Sequence, residues 1–167
     1  GLVAAGLFPN PVGHAHVVSF TTHKTLCGPR GAVLLSTDEE IAKKIDSAVF
    51  PGEQGGPHIN AIAAKAVGFK LAATAEFKDL QKKTLENAAH LAEVLKSRGL
   101  KLVYGGTNTH LLLIDLTAIK SETGFPVKGE TASAILDLCG IVCNKNTIPG
   151  DFSAAFARGI GFDQMTL

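Results

Sequence analysis

Residues 15–31 read AHVVSFTTHKTLCGPRG, and Lys24 stands near their middle, between a hydroxyl-rich stretch and a glycine–proline loop. Val17 and Val18 lead into Ser19, Thr21 and Thr22. His23 and Thr25 flank the lysine. Gly28-Pro29-Arg30-Gly31 follows, and then a second apolar run, Ala32 to Leu35. Apolar run, break, apolar run predicts strand, turn, strand, with the lysine at the break. A lysine set between buried strands is partly withdrawn from water, which favours its neutral amine and makes it a better nucleophile. Such an amine can form a Schiff base with a carbonyl compound or with pyridoxal phosphate. The same lysine, at a strand end, also has the ordinary option of reaching into solvent.

Other residues of reactive type are less distinctively placed. Gly55 and Gly56 precede a predicted helix, where two backbone N–H groups could face an anion; the same pair also makes an ordinary flexible turn. His14 and His16 lie two apart with no third ligand nearby, so they read as loop and strand-edge residues, and no metal is expected. Cys27, Cys139 and Cys143 are odd in number and lack paired spacing. That pattern gives neither a disulfide framework nor a zinc site and points to a reducing, cytoplasmic compartment.

These residues need elements to hold them. Strands are expected at 15–21 and 31–36. Thr37 and Glu40 form a T-x-x-E capping box opening a helix, with Ile41, Ile45 and Val49 on one face and Lys43, Lys44 and Asp46 on the solvated one. That helix stops at Phe50-Pro51-Gly52. Residues 59–73 form a small-residue helix whose expected buried face is Ile59, Ile62, Ala63, Ala66 and Val67. A longer helix over 76–98 carries Phe77, Leu80, Leu85, Ala88, Leu91 and Leu95, with Gly99 suited to the C′ position. Leu100–Tyr104 and His110–Leu116 are spaced as a hairpin. A loop over 117–130, a helix over 130–139 ended by Gly140, a strand at Ile141–Cys143 and a turn from Asn144 to Asp151 complete an α+β pattern.

The 46% hydrophobic and 19% charged content fits a globular chain with a real core. A net charge of +1 with no basic block gives no reason to expect nucleic acid. No apolar stretch approaches the roughly 20 residues of a membrane span. The chain opens abruptly on GLVAAGLFPNPVG and stops at GIGFDQMTL. Both ends lead us to expect a piece of a longer protein.

TTHKTLCGPRG resembles the cofactor-lysine segment of serine hydroxymethyltransferases, TTTTHKTL-GPRGG. PGEQGGPH is similar to that family's PG-QGGP loop, GGTNTHLLLIDL to its GGTDNHLLLVDL, and NKNTIPGD to its NKN-x-x-P-x-D segment. GLVAAG matches as well, so the resemblance covers nearly the whole chain. It implies α/β architecture: part of an aspartate-aminotransferase-like, fold type I pyridoxal-phosphate enzyme. Residues 1–77 would end the large cofactor domain, and 78–167 would be a linking helix and an incomplete α+β C-terminal domain. It implies one-carbon metabolism: serine and glycine are interconverted and the one-carbon unit passes to tetrahydrofolate. In that scheme Lys24 carries pyridoxal 5′-phosphate as a Schiff base. Thr21 and His23 are cofactor-side contacts, and Arg30 orders the loop beside the lysine. Gly55 and Gly56 approach the phosphate held by a neighbouring subunit, which implies a homodimer or higher homo-oligomer. Asn146 is a substrate-side contact.

The chain departs from the pattern in three places. Phe20 replaces the second threonine of TTTTHK. The cofactor-stacking histidine and the aspartate that pairs with the pyridine nitrogen belong upstream of Gly1. Where the family continues into SGIRIGTPA, with an arginine that grips the amino-acid carboxylate, this chain reads FSAAFARGIGFDQMTL. Aligning GI on GI puts Gly161 in the arginine's place, and Arg158 lies three positions earlier. A related aldolase or transaldolase, an α-methylserine hydroxymethyltransferase, an aminotransferase and a non-catalytic fragment stay open as alternatives.

Overall fold

A computed structural model describes residues 1–163 of the chain. Its first element pair is the expected one around Lys24. β1 (Val18–Thr21) pairs antiparallel with β2 (Ala32–Leu35), from Val18 opposite Leu35 to Thr21 opposite Ala32. Both strands are shorter than the sequence pattern suggests. The chain divides into two compact units, Gly1–Lys82 and Lys83–Leu167.

In the first unit α1 (Glu39–Ser47) follows β2. Its cap is Asp38 and not the expected Thr37: the Asp38 carboxylate accepts from the N–H of Glu40 at 2.9 Å and of Ile41 at 3.0 Å. A carboxylate at this position satisfies two orphan donors and meets the positive end of the helix dipole, which a threonine hydroxyl does less well. Ile41, Ile45 and Val49 form the expected stripe, half-buried. An irregular turn, Ala48–Glu53, carries a cis Phe50–Pro51 bond.

α2 (Ile59–Ala72) corrects the sequence reading. Ile59, Ile62 and Val67 are 65%, 52% and 60% exposed, and Ala63 and Ala66 are exposed too. The inward face is instead Ala61, Ala64, Lys65, Gly68 and Ala72, at helical spacing. In an alanine-rich helix, apolar character on all sides leaves periodicity unable to choose a face. Close approach decides it: a Cβ on Gly68 would lie 3.4 Å from the Gly28 Cα.

α3 (Ala75–Ser97) opens with Thr74 accepting from the Phe77 N–H at 3.3 Å. Within Gly1–Lys82, Phe77 joins Ala5, Leu26 and Ala72 in a small core. Leu80, expected inward, is 45% exposed, while Gln81 and Thr84 are buried. At the other end Gly99, with φ +82°, sits at C′ as expected. Its N–H donates to Lys96 O at 2.9 Å and the Leu100 N–H to Leu95 O at 3.0 Å, the two bonds of a Schellman cap.

The second unit is an antiparallel sheet in the order β3-β4-β6-β5, with α4 (Gly129–Leu138) alongside. The strands are β3 (Lys101–Leu102), β4 (Leu111–Asp115), β5 (Asn144–Asn146) and β6 (Gly159–Asp163). β3 and β4 make the expected hairpin. Leu112 and Ile114 face Phe162 and Ile160 across the ladder and form the core with Ala92, Leu102 and Leu116. The strand expected at Ile141–Cys143 lies three residues later. The Gly140 N–H donates to Asp137 O and the Ile141 N–H to Leu136 O, both at 2.9 Å. Ile141 is thus consumed by a second Schellman cap, and pairing begins only at Asn144.

Asp115, at the end of β4, is 7% exposed. Its Oδ2 lies 2.7 Å from Lys101 Nζ, and its Oδ1 accepts from the Thr117 N–H and hydroxyl at 2.9 and 2.6 Å. Burial alone would raise this carboxyl, but the bonds from Lys101 and Thr117 outweigh it and lower it from 3.8 to about 2. A folded value below the ordinary one stabilises the fold above 3.8, and that contribution is lost as pH falls from there to about 2. We therefore expect the melting temperature, followed by circular dichroism, to drop across this window. Asp115→Asn should melt lower at neutral pH and show a shallower acid drop. An equal drop in the variant would mean that other carboxyls carry it.

Candidate active site

Ten residues, 22–31, connect β1 to β2, and Lys24 lies in this loop. The loop is ordered by its own backbone. The Thr22 N–H donates to Gly31 O at 2.9 Å, extending the strand ladder, and the Gly28 N–H donates to Thr22 O at 2.7 Å. Thr22 is fully buried, and its hydroxyl donates to Pro29 O at 2.5 Å. His23 Nδ1 accepts from the Gly31 N–H at 3.3 Å, which leaves Nε2 facing outward from that bond. The Cys27 N–H closes the turn on Lys24 O at 2.8 Å, with Cys27 at φ +59°.

Lys24 itself is exposed and makes no ion pair among the described residues. This corrects the expectation of a lysine set between buried strands. The burial falls on its neighbours: Thr22, Thr25 and Leu26 turn inward, and the lysine is left at the surface between them. Thr21, the last residue of β1, is half-buried, and Arg30 is exposed.

Two side chains that sequence reasoning passed over hold this loop from the helices. Lys65 of α2 donates from Nζ to Ala32 O at 2.9 Å, beside Gly31. Gln81 of α3 donates from Nε2 to Thr25 O at 2.9 Å. One signal was available for Gln81. It lies four residues after Phe77 and seven before Ala88, on the apolar stripe, where a polar residue needs a dedicated partner.

Gly55 and Gly56 lie between the irregular turn and α2, with Gly56 at φ +58°. A Cβ built on either would meet nothing within 4 Å, so this backbone is uncrowded. Asn146 belongs to the second unit. It ends β5 opposite Gly159, and its side-chain Nδ2 lies 2.9 Å from where a Cβ on Gly161 would stand. Arg158 is already engaged. Its Nε contacts the Asp151 carboxylate, and a terminal nitrogen donates to Gly150 O at 2.9 Å. The Arg158 N–H, then its guanidinium and the Ile148 N–H, hold the Asp151 carboxyl below its ordinary value. Among the described residues no group of three His, Cys, Asp or Glu could hold a metal, and no helix is long and apolar enough to cross a membrane.

Residues 1–166 match the family model described as serine hydroxymethyltransferase. The chain belongs to the serine hydroxymethyltransferase family. It is 54% identical over 151 residues to the serine hydroxymethyltransferase of Endomicrobium trichonymphae, covering 90% of this chain and 35% of that protein. Against the serine hydroxymethyltransferase of Phenylobacterium zucineum the identity is again 54%, over 90% of this chain and 34% of the relative. The chain thus spans about a third of the length of the curated relatives it matches. Membership in this family implies a fold type I pyridoxal-phosphate enzyme, with which the mixed α/β structure is compatible.

Proposed function

We propose that the protein carrying this segment converts serine and tetrahydrofolate into glycine, methylene-tetrahydrofolate and water, with Lys24 as its cofactor lysine. The observation that supports this most directly is an exposed amine on a loop whose backbone is fixed at both ends. Such an amine is open to an aldehyde, and the backbone that carries it is held in one place. The uncrowded backbone at Gly55 and Gly56 suits a phosphate. These residues therefore fit pyridoxal phosphate, which when bound supplies the electron sink that lets the Cα–Cβ bond of serine break.

The chain's own residues would orient that chemistry. Lys24 would hold the cofactor through its aldehyde. Thr21 and His23 contact the cofactor, and the bond from Gly31 fixes the His23 ring. Arg30 orders the loop. Gly55 and Gly56 serve the phosphate of a partner subunit in a cytoplasmic homodimer or higher homo-oligomer, and Asn146 contacts the substrate. The Cβ of serine leaves at the oxidation level of formaldehyde and passes to tetrahydrofolate, while Cα takes up a proton to give glycine.

Gly161 favours a second reading, in which this segment positions cofactor without turning over serine. A glycine cannot grip a carboxylate, and Arg158 is spent on Asp151 and Gly150. Assay of the protein with serine separates the cases. Glycine should accumulate only with tetrahydrofolate present. Glycine formation that requires a keto acid would place the protein among aminotransferases, and cofactor capture without turnover would favour the second reading.

A further inference from the structure

We infer that Gln81 is a positioning residue for Lys24: its side-chain amide grips the backbone carbonyl next to the lysine and so sets the direction in which the amine leaves the loop. This rests on Lys24 being the cofactor lysine.

Gln81 is 0% exposed, and burying an amide costs free energy unless it is hydrogen-bonded. Its Nε2 donates to Thr25 O at 2.9 Å, while its Oε1 has no hydrogen-bond partner among the described residues. The Thr25 carbonyl is therefore the side chain's one polar tie among them. Packing alone does not call for an amide here, since Phe77 and Ala88 on the same stripe are apolar and a methionine would fill similar space. Three carbonyls of the turn are taken by backbone N–H groups, Lys24 O by Cys27, Thr22 O by Gly28 and Gly31 O by Thr22, and Pro29 O is taken by the Thr22 hydroxyl. Among the described residues Thr25 O receives no backbone donor, and besides Gln81 only the Cys27 thiol reaches it, at 3.7 Å. Leu26, the next residue, is buried in the cluster that contains Phe77. Two consecutive residues after Lys24 are thus fixed over α3 positions four apart, one by packing and one by hydrogen bonding. The lysine side chain has no ion-pair partner among the described residues to aim it, so its aim depends on this backbone anchor. A displacement of about 1 Å at a reacting group can cost on the order of a hundredfold in rate.

The test compares wild type, Gln81→Met and Gln81→Glu in the chain. Capture of pyridoxal 5′-phosphate is followed by visible absorbance. The product is then reduced with borohydride and the modified lysine mapped by mass spectrometry. Gln81→Met should retain its circular dichroism and slow capture at Lys24 roughly tenfold, the effect of leaving one buried acceptor unsatisfied. Gln81→Glu supplies a pH readout that a merely structural role would not move. A buried carboxyl is protonated more readily, and its O–H can then donate to Thr25 O. Its capture rate, as a ratio to wild type, should approach one at low pH and fall toward the methionine variant as pH rises. If Gln81→Met does not fold, this profile alone decides. Capture unaffected by Gln81→Met, or a Gln81→Glu ratio that is flat with pH, overturns the inference and leaves Lys24 as the cofactor lysine. A wild-type chain that gains no pyridoxyl group on Lys24 overturns that reading and the inference with it.

Discussion

Replacing Lys24 by alanine is expected to remove site-specific capture of pyridoxal phosphate, lowering adduct formation on the order of a hundredfold or more, the scale on which a positioned amine outperforms a free one. The sequence carries many other lysines, among them Lys43, Lys44, Lys78 and Lys83. If capture were ordinary amine chemistry, adducts would spread over all of them and Lys24→Ala would barely change the total. Lys24 differs in where it is attached. It sits in a loop closed by Thr22–Gly31, Gly28–Thr22 and Cys27–Lys24 backbone bonds, whereas Lys43 and Lys83 lie on helix surfaces paired to Glu40 and Glu86. The lysine is exposed and makes no ion pair among the described residues, so its removal should alter stability by no more than about 0.5 kcal/mol. Loss of capture in a chain that melts normally therefore reports on the amine alone. Borohydride reduction and mass mapping read the outcome. Adducts of equal yield in Lys24→Ala would sink the assignment.

Much of this site was legible in the chain itself. Strand, break and strand around Lys24 follow from two apolar runs and a Gly-Pro-Arg-Gly loop, and the structure has them at Val18–Thr21 and Ala32–Leu35. The Schellman cap at Gly99 was legible because glycine's freedom at positive φ is a local property. What local pattern could not supply was depth. It placed Lys24 between buried strands, but which residues of a loop turn inward depends on the helix that packs beneath it. α3 brings Phe77 and Gln81 against Leu26 and Thr25, and the lysine between Thr22 and Thr25 is displaced to the surface. The face of α2 failed for the related reason that alanine, isoleucine and valine carry no polar boundary to mark an inside.

The last third of the chain shows where strand propensity misleads. Ile141, Val142 and Cys143 are the better strand formers, yet Asn144–Asn146 pairs, because the helix cap ends only at Ile141. Its partner β6 was not expected at all, since glycines at 159 and 161 carry no strand propensity. The structure gives the reason for Gly159: a Cβ there would stand 2.5 Å from Ile148 Cγ2 and 3.0 Å from the carbonyl oxygens of Asn146 and Ile114. Glycine in a strand marks close approach of another backbone, and here it seats β6 between β4 and β5. The same glycine-rich strand is what leaves position 161 without a carboxylate-binding side chain, so fold and chemistry part company at this one element.

That central strand pair sets the second large effect. Leu112→Ala should destabilise the second unit by about 2–5 kcal/mol, the range for removing a large aliphatic side chain from a core that relaxes incompletely. Leu112 is 1% exposed and faces Phe162 across the β4–β6 ladder, within a cluster that also holds Ile114, Ile160 and Ala92. Its neighbour Leu111 has the same side chain on the same strand but is 51% exposed, because successive residues of a strand point to opposite faces. Leu111→Ala should therefore shift stability much less, by about 0.5 kcal/mol. The pair of variants tests the register and not merely the presence of a core. A slip of one residue between β4 and β6 would exchange the two faces and invert the order of the effects. Urea unfolding followed by circular dichroism gives both midpoints. A loss at Leu111 equal to or greater than that at Leu112 would contradict the β4–β6 pairing on which the placement of Gly161 and Asn146 depends.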